Sequence, residues 1–306
     1  MQDRRIRLIG CPIETGAGRR GCQMGPDSLR TAGLGDMLSG LGYAVEDVGN
    51  VAPAAIDPVD SPYALRNLAE TVAWTVALQE AAARAFAEDR FPIFLGGDHS
   101  IALGTVSAAA GHAASRGKPF YLLWLDAHPD FHGLDTTDSG NLHGTPVAYV
   151  TGQASFAGLF PDLAAPVKLE NICMMGIRSV DPVERQVLLE KGVEVHDMRR
   201  LDETGVVRPL RDFLERIEAT GGMLHVSLDV DFLDPTIAPA VGTTVPGGAT
   251  FREAHLVMEM VHESGLAGAL DLVELNPFLD HAGMTAKLMA DLCASLMGKT
   301  VMDRPT

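Results

Sequence analysis

Cysteine is scarce in this 306-residue sequence: Cys11, Cys22, Cys173 and Cys293 stand far apart, and no two form a CxxC pair. That spacing argues against a disulfide framework and a cysteine-ligated zinc site, and it fits a reducing cytoplasm. Cys173 and Cys293 read as small buried hydrophobes. Positive charge is also short, with 24 Lys and Arg against 40 Asp and Glu, a formal net charge of −16. Such a chain repels polyphosphate, so nucleic acid is not expected as a partner, whereas cationic ligands and metal ions are attracted. Long apolar runs are missing as well. Residues 8–12, which follow the basic first residues, are too few for a secretory signal, and no later stretch is long enough to span a membrane. No repeat, low-complexity tract or linker marks a boundary, so residues 1–306 read as a single domain.

The chain is 46% hydrophobic, and its short apolar runs alternate with longer amphipathic stretches. This is the pattern of an α/β fold in which helices sandwich a mainly parallel sheet of about eight strands. Strands are predicted at residues 5–10, 44–48, 91–95, 120–125, 172–177, 193–196, 224–228 and 267–275. Helices are predicted at residues 26–38, 63–87, 101–115, 182–191, 209–220, 251–264 and 286–297. Gly and Pro gather just after strands, at residues 96–97, 133–144, 235–248 and 277–283. In an open parallel sheet those loops share the carboxyl edge, where ligands bind, and the functional site is expected there.

Three of the strand ends carry unusual densities of carboxylate and imidazole. They are Gly-Gly-Asp-His-Ser at 96–100, Asp-Ala-His-Pro-Asp at 126–130, and Ser-Leu-Asp-Val-Asp-Phe-Leu-Asp-Pro at 227–235. Alternate residues of an extended segment share one side, so Asp126, His128 and Asp130 point together, as do Asp229 and Asp231. Carboxylates converging in this way could not all ionise without cations between them. With His99, six groups form an oxygen-rich set with two imidazoles and no thiolate. Such a set suits manganese, could accept cobalt, nickel or iron, and has enough ligands for two ions sharing carboxylates. Asp98 and Asp234 read instead as loop-fixing residues, as lone aspartates at strand ends usually are.

These three segments, in this order, resemble the signatures of the arginase family, also called the ureohydrolases. The resemblance extends to Gly-x-x-x-Gly-Pro-x-x-x-Arg at 21–30 and Glu-x-Asn-Pro at 274–277, nearly the whole chain. It implies a three-layer α/β/α fold and two Mn2+ ions that activate a water between them. One ion would be held by His99, Asp126, Asp130 and Asp229, and the other by Asp126, His128, Asp229 and Asp231. Asp130 would also move a proton to the leaving amine, and His143 would shuttle protons to bulk water. Glu274 would grip the guanidinium, with Thr243 beside it. The Ser-Gly-Asn-x-His-Gly run at 139–144 matches the arginase form of the substrate loop. Ser139 and Asn141 would then help bind an α-carboxylate, and Asp181 and Glu184 an α-ammonium. The implied reaction is hydrolysis of L-arginine to L-ornithine and urea by a cytoplasmic homotrimer or homohexamer.

Some residues depart from the family pattern. His132 stands where an Asn that binds the carboxylate is common, and it is expected to serve there as a donor. Pro129 replaces a small polar residue, and Thr243-Thr244-Val245-Pro246 replaces a Gly-Thr-Pro pattern. None of these falls on a metal ligand. The rival readings within the family are guanidinobutyrase, agmatinase and formimidoylglutamase. A binuclear phosphoesterase shares an Asp-x-His start, but here an extra residue separates Asn141 from His143 and the Gly-Asp-x-x-Asp-Arg element is missing. A non-catalytic protein that binds a guanidino metabolite would not need all six ligands together with His143 and Glu274.

Overall fold

The structure, a computed structural model, describes residues 5–300 and 302. Among these, eight strands form one sheet: β1 (Arg5–Cys11), β2 (Ala44–Asn50), β3 (Arg90–Gly96), β4 (Phe120–Leu125), β5 (Ile172–Ile177), β6 (Glu194–Asp197), β7 (Met223–Asp229) and β8 (Ala267–Val273). Their order is β2-β1-β3-β8-β7-β4-β5-β6, and every pairing is parallel. All residues of β4 and β5 are buried, which is why they read as continuous apolar runs instead of alternating ones.

Helices cover both faces. One face carries α1 (Gly25–Thr31), α2 (Leu34–Gly40), α7 (Met198–Thr204), α8 (Val207–Thr220), α9 (Phe251–Ser264) and α10 (Met284–Leu296). The other carries α3 (Leu68–Ala87), α4 (Ile101–Ser115), α5 (Pro146–Val150) and α6 (Pro182–Lys191). The side-chain alternation of a strand divides the core between these layers. In β4, Tyr121, Leu123 and Leu125 join the first apolar cluster, while Leu122 and Trp124 join the second. No helix of the described residues is long and apolar enough to cross a membrane.

Backbone conformation shifts several boundaries from the sequence expectation. The helix predicted at 26–38 is broken at Gly33, whose φ of 86° only glycine adopts without strain. The helix predicted from 63 begins at Leu68, because Asn67 turns left-handed and its amide donates to the Thr15 carbonyl at 2.9 Å. The strand predicted to run to 275 stops at Val273, where Glu274 takes a φ of 64°. The short helices α5 and α7 have too few turns to show a period.

The strand order is what positions the site. Chain-consecutive β3 and β4 are held apart by β8 and β7, which return to fill the centre of the sheet. The loops leaving β3 and β4 therefore diverge, and the crevice between them lies over four adjacent strand ends. At the exit of β3, Gly97 donates to the Cys11 carbonyl at 3.0 Å and accepts from the Glu274 amide at 2.8 Å. A Cβ there would lie 2.1 Å from the Ile13 oxygen and 2.7 Å from the Cys11 oxygen, both backbone atoms that cannot swing away. Gly97→Ala is accordingly expected to cost roughly 3 kcal/mol of stability, at the upper end of overpacking penalties. Chemical denaturation measures this, and an unchanged unfolding midpoint would show that the three strand exits can separate freely.

Candidate active site

The four central strand ends deliver their polar side chains to one point. His99, two residues beyond Gly97, stacks on Trp124 of β4 with ring centroids 4.0 Å apart and planes 4° apart. Its Nε2 lies 2.8 Å from the Ser227 hydroxyl on β7. With that nitrogen occupied, Nδ1 is presented to three carboxylates: Asp126 Oδ2 at 2.9 Å, Asp229 Oδ2 at 3.0 Å and Asp130 Oδ2 at 3.3 Å. A second grouping lies alongside. His128 Nδ1 is 3.1 Å from Asp231 Oδ2 and 3.5 Å from Asp126 Oδ1. Asp126 thus offers one oxygen to each grouping.

Asp229 and Asp231 are each aimed by a hydrogen bond to the oxygen that does not face an imidazole. Asp229 Oδ1 accepts from the Asp231 amide at 2.7 Å, and Asp231 Oδ1 accepts from the Ala127 amide at 2.9 Å. Thr243, expected beside Glu274, donates its hydroxyl to Asp231 Oδ2 at 3.1 Å. Asp130 takes a φ of 46°, a left-handed conformation uncommon for a non-glycine residue and typical of sites where function imposes strain.

The electrostatics mark a site that lacks positive charge. Burial, with Asp231 and Asp126 close by, pushes the Asp229 carboxyl well up, and burial beside Asp126 does the same for Asp130. Burial opposes protonation of His99 and His128. The adjoining carboxylates overcome that penalty, raising His99 well above the usual imidazole range and His128 to about 12. Burial also works against ionisation of Asp126, but the attraction of the neighbouring His128 and His99 imidazoles outweighs it and holds this carboxyl well down. His99 Nδ1 and Asp126 Oδ2 are both buried and have no hydrogen-bond partner among the described residues, although they are only 2.9 Å apart. Two unpaired ligand atoms facing each other in a buried set of nitrogen and oxygen donors fit a divalent cation between them. His99, Asp126, Asp130 and Asp229 could hold one ion, and Asp126, His128, Asp229 and Asp231 a second.

A cavity of about 220 Å³ rises from these groups. On one wall His143 Nδ1 meets Glu274 Oε1 at 2.9 Å, and the same oxygen accepts from the His99 amide at 2.9 Å. Burial disfavours charge on both partners of this pair, but their attraction prevails. It lifts His143 to about 9 and lowers Glu274. On the opposite wall His132 Nε2 lies 2.6 Å from Asp181 Oδ2 and 3.5 Å from Glu184 Oε2, while its Nδ1 faces the Thr136 hydroxyl at 3.3 Å. Asp181 also caps α6, its Oδ1 accepting from the Val183 and Glu184 amides at 2.9 Å. Ser139 and Asn141 are not among the residues lining the cavity. Ser139 Oγ accepts from the Asn141 amide at 3.2 Å, and Asn141 Oδ1 is buried without a described partner. Asp98 and Asp234 fix loops: Asp98 Oδ2 accepts from the Ala17 amide, and Asp234 Oδ2 from the Gly247 and Gly248 amides.

Three contributors lacked a usable sequence signal. Ser227 sits inside a recognised segment, yet nothing in its type says that it supports His99 from a neighbouring strand. Cys22 approaches Glu274 Oε2 to 3.6 Å from the far end of the chain. Arg178 donates to the backbone oxygens of Gly176, Asp231 and Val245 at 3.0, 2.6 and 2.7 Å, pinning the loop after β7 to the end of β5. Because Ser227 fixes the ring of a candidate ligand, Ser227→Ala is expected to weaken divalent-ion affinity about 10- to 100-fold with the fold retained. Titration of ion-free protein with Mn2+ checks this, and an unaltered affinity would mean that His99 needs no support.

Comparison with known proteins agrees with this geometry. The sequence profile of the Arginase family matches residues 4–298. The arginase of Brucella melitensis is 62% identical over 301 residues, covering 98% of each chain. The crystal structure of the arginase from Bacillus subtilis superposes with a TM-score of 0.88 at 38% identity, covering 98% of this chain and 100% of that one. An arginase from Entamoeba histolytica, solved in complex with L-ornithine, superposes with a TM-score of 0.86 at 25% identity, with the same coverage of each chain. The matched profile, the extent of identity and the shared fold together mean that this chain belongs to the arginase family, metal-dependent hydrolases of guanidino carbon–nitrogen bonds.

Proposed function

We propose that the chain hydrolyses L-arginine to L-ornithine and urea with two Mn2+ ions bound at the central strand ends. The observation that carries this reading is Asp126, whose two oxygens face separate imidazoles, one of them across a contact with no hydrogen bond. A carboxylate placed in this way could serve two cations at once. Manganese suits the donor set, which is rich in hard oxygen and contains no sulfur. When bound, such a pair supplies Lewis acidity and makes a water nucleophilic at neutral pH.

The remaining steps belong to side chains. Glu274 holds the guanidinium, and the hydrogen bonds from His143 and the His99 amide fix its carboxylate for that task. Asp130, buried at the site with its Oδ2 3.3 Å from His99 Nδ1, takes a proton from the attacking water and passes it to the departing amine nitrogen. The carbon–nitrogen bond then breaks, giving urea and the free amine. His143 is about one-fifth exposed, so it touches both solvent and Glu274 and can exchange protons between them. At the mouth, Asp181 and Glu184 take the α-ammonium, and His132 with Ser139 and Asn141 takes the α-carboxylate. The ornithine held by the Entamoeba relative is consistent with an amino-acid headgroup of this kind.

Product release at equal concentration, read as urea from L-arginine, agmatine and 4-guanidinobutyrate and as formamide from formimidoylglutamate, tests the substrate. Arginine is expected to be turned over fastest, and a faster rate on any other compound would reassign the enzyme within the family. A second expectation concerns protons. His99 is raised well above the ordinary imidazole value and His128 to about 12, so the carboxylates around them favour the protonated imidazoles until an ion binds. Ion binding needs neutral imidazoles and ionised carboxylates, and Asp130 and Asp229 are pushed up as well, so loading Mn2+ is expected to release several protons per chain, with apparent affinity falling as pH falls. Proton release measured in weakly buffered dye solution reads this directly, and a pH-independent affinity would contradict it.

A further inference from the structure

Away from the catalytic cavity, the sheet brings together three groups of another character. Cys173, near the amino end of β5, pairs directly across the ladder with Glu194 of β6. His196, two residues further along β6, projects from the same face as Glu194. One ligand atom from each residue, the Cys173 Sγ, a Glu194 carboxylate oxygen and a His196 ring nitrogen, lies within 4.8 Å of the other two. None of the three lines the catalytic cavity.

Their hydrogen bonding is incomplete. His196 is 4% exposed, and its Nε2 lies 2.8 Å from Glu194 Oε1. Its Nδ1 is buried with no hydrogen-bond partner among the described residues. A buried ring nitrogen without a partner lowers stability. The Cys173 thiol is fully buried beside it. Arg216 of α8 reaches over the half-exposed side of the group and bonds Glu194 Oε2, supplying the positive charge that the carboxylate needs in the absence of an ion.

We propose that Cys173, Glu194 and His196 form a single-ion site for a divalent cation of the zinc class, separate from the pair at the catalytic centre. One sulfur, one nitrogen and one oxygen donor on adjacent strands make a three-ligand site with a fourth position open to water. A thiolate selects softer ions such as zinc or cobalt, whereas the oxygen-rich catalytic set suits manganese, so the two sites differ in the ion they favour. Burial pushes the Cys173 thiol well up, so it stays an S–H group until an ion arrives. Binding then forms a sulfur–metal bond and releases the thiol proton to solvent. The sequence holds no CxxC pair because the sheet supplies the proximity that local spacing does not.

Cobalt is the probe. Adding Co2+ to the Mn2+-loaded protein is expected to produce a thiolate-to-cobalt charge-transfer absorption that saturates at one further equivalent and is displaced by Zn2+. The catalytic donor set contains no thiolate. Cys22 does lie near Glu274, so Cys22→Ser serves as a control and should keep the band. Cys173→Ser should abolish it while leaving hydrolysis in Mn2+ unchanged. Should that buried change impair folding, Glu194→Gln, on a side chain about one-quarter exposed, decides the matter by weakening cobalt binding at least tenfold with the circular dichroism of the parent. Absence of the band, its persistence in Cys173→Ser, its loss in Cys22→Ser, or unchanged cobalt affinity in Glu194→Gln would each overturn the proposal.

Discussion

Asp126, Asp130, Asp229 and Asp231 are each at most 8% exposed and crowd around two imidazoles, and their mutual repulsion is the constraint on which the rest of the structure turns. Buried like charges at this separation are neutralised by cations, or by protons where cations are lacking. The upward displacement of Asp130, Asp229, His99 and His128 is the proton form of that neutralisation. Binding of divalent ions is then an exchange of several protons for a few fixed charges, and this ties affinity to pH.

Groups that repel must be held from behind, and the sheet provides the support. β3, β8, β7 and β4 are contiguous, so their ends share one rigid edge. At that edge the atom of each group not facing the centre is tied: His99 Nε2 to Ser227, Asp229 Oδ1 to the Asp231 amide, and Asp231 Oδ1 to the Ala127 amide. The backbone carries part of the cost as left-handed φ angles at Asp130 and Glu274, two residues whose side chains point into the cavity. Arg178, anchored on the Gly176 carbonyl of β5, then ties the loop after β7 through the Asp231 and Val245 carbonyls, fixing Asp231 at its backbone as well as at its side chain.

Much of this was legible in the sequence because burial and period leave direct traces. β4, β5, α4, α6 and α9 fall at the residues expected from apolar runs and helical spacing. The six candidate ligands were legible for a different reason: carboxylates and imidazoles rarely accumulate at apolar strand ends without a charge to meet. Strand order left no trace, since an apolar run records that a strand is buried but not which strand lies beside it. The same limit hid Ser227 behind His99 and Cys22 beside Glu274, contacts that span 128 and 252 residues. Glu274 ended its strand two residues early because a left-handed glutamate has no compositional signature.

The mouth of the cavity bears on substrate choice. Its lining includes Asp181 and Glu184 as well as Glu274, with His132 beside the first two carboxylates. Such carboxylates suit a compound that is cationic at both ends, a property shared by arginine and agmatine. His132 separates them. Its Nδ1 faces Thr136 and its Nε2 faces Asp181, so the imidazole lies beside the acids that the proposed reading gives to the substrate headgroup. On the proposed reading, a substrate carboxylate shares this imidazole with Asp181, while the substrate α-ammonium answers the charge of Asp181 and Glu184. Agmatine brings no such group, so it would fill the same cavity and leave His132 with the protein's carboxylates alone. A histidine can therefore stand where the family commonly has asparagine, because what the position needs is a donor beside two acids.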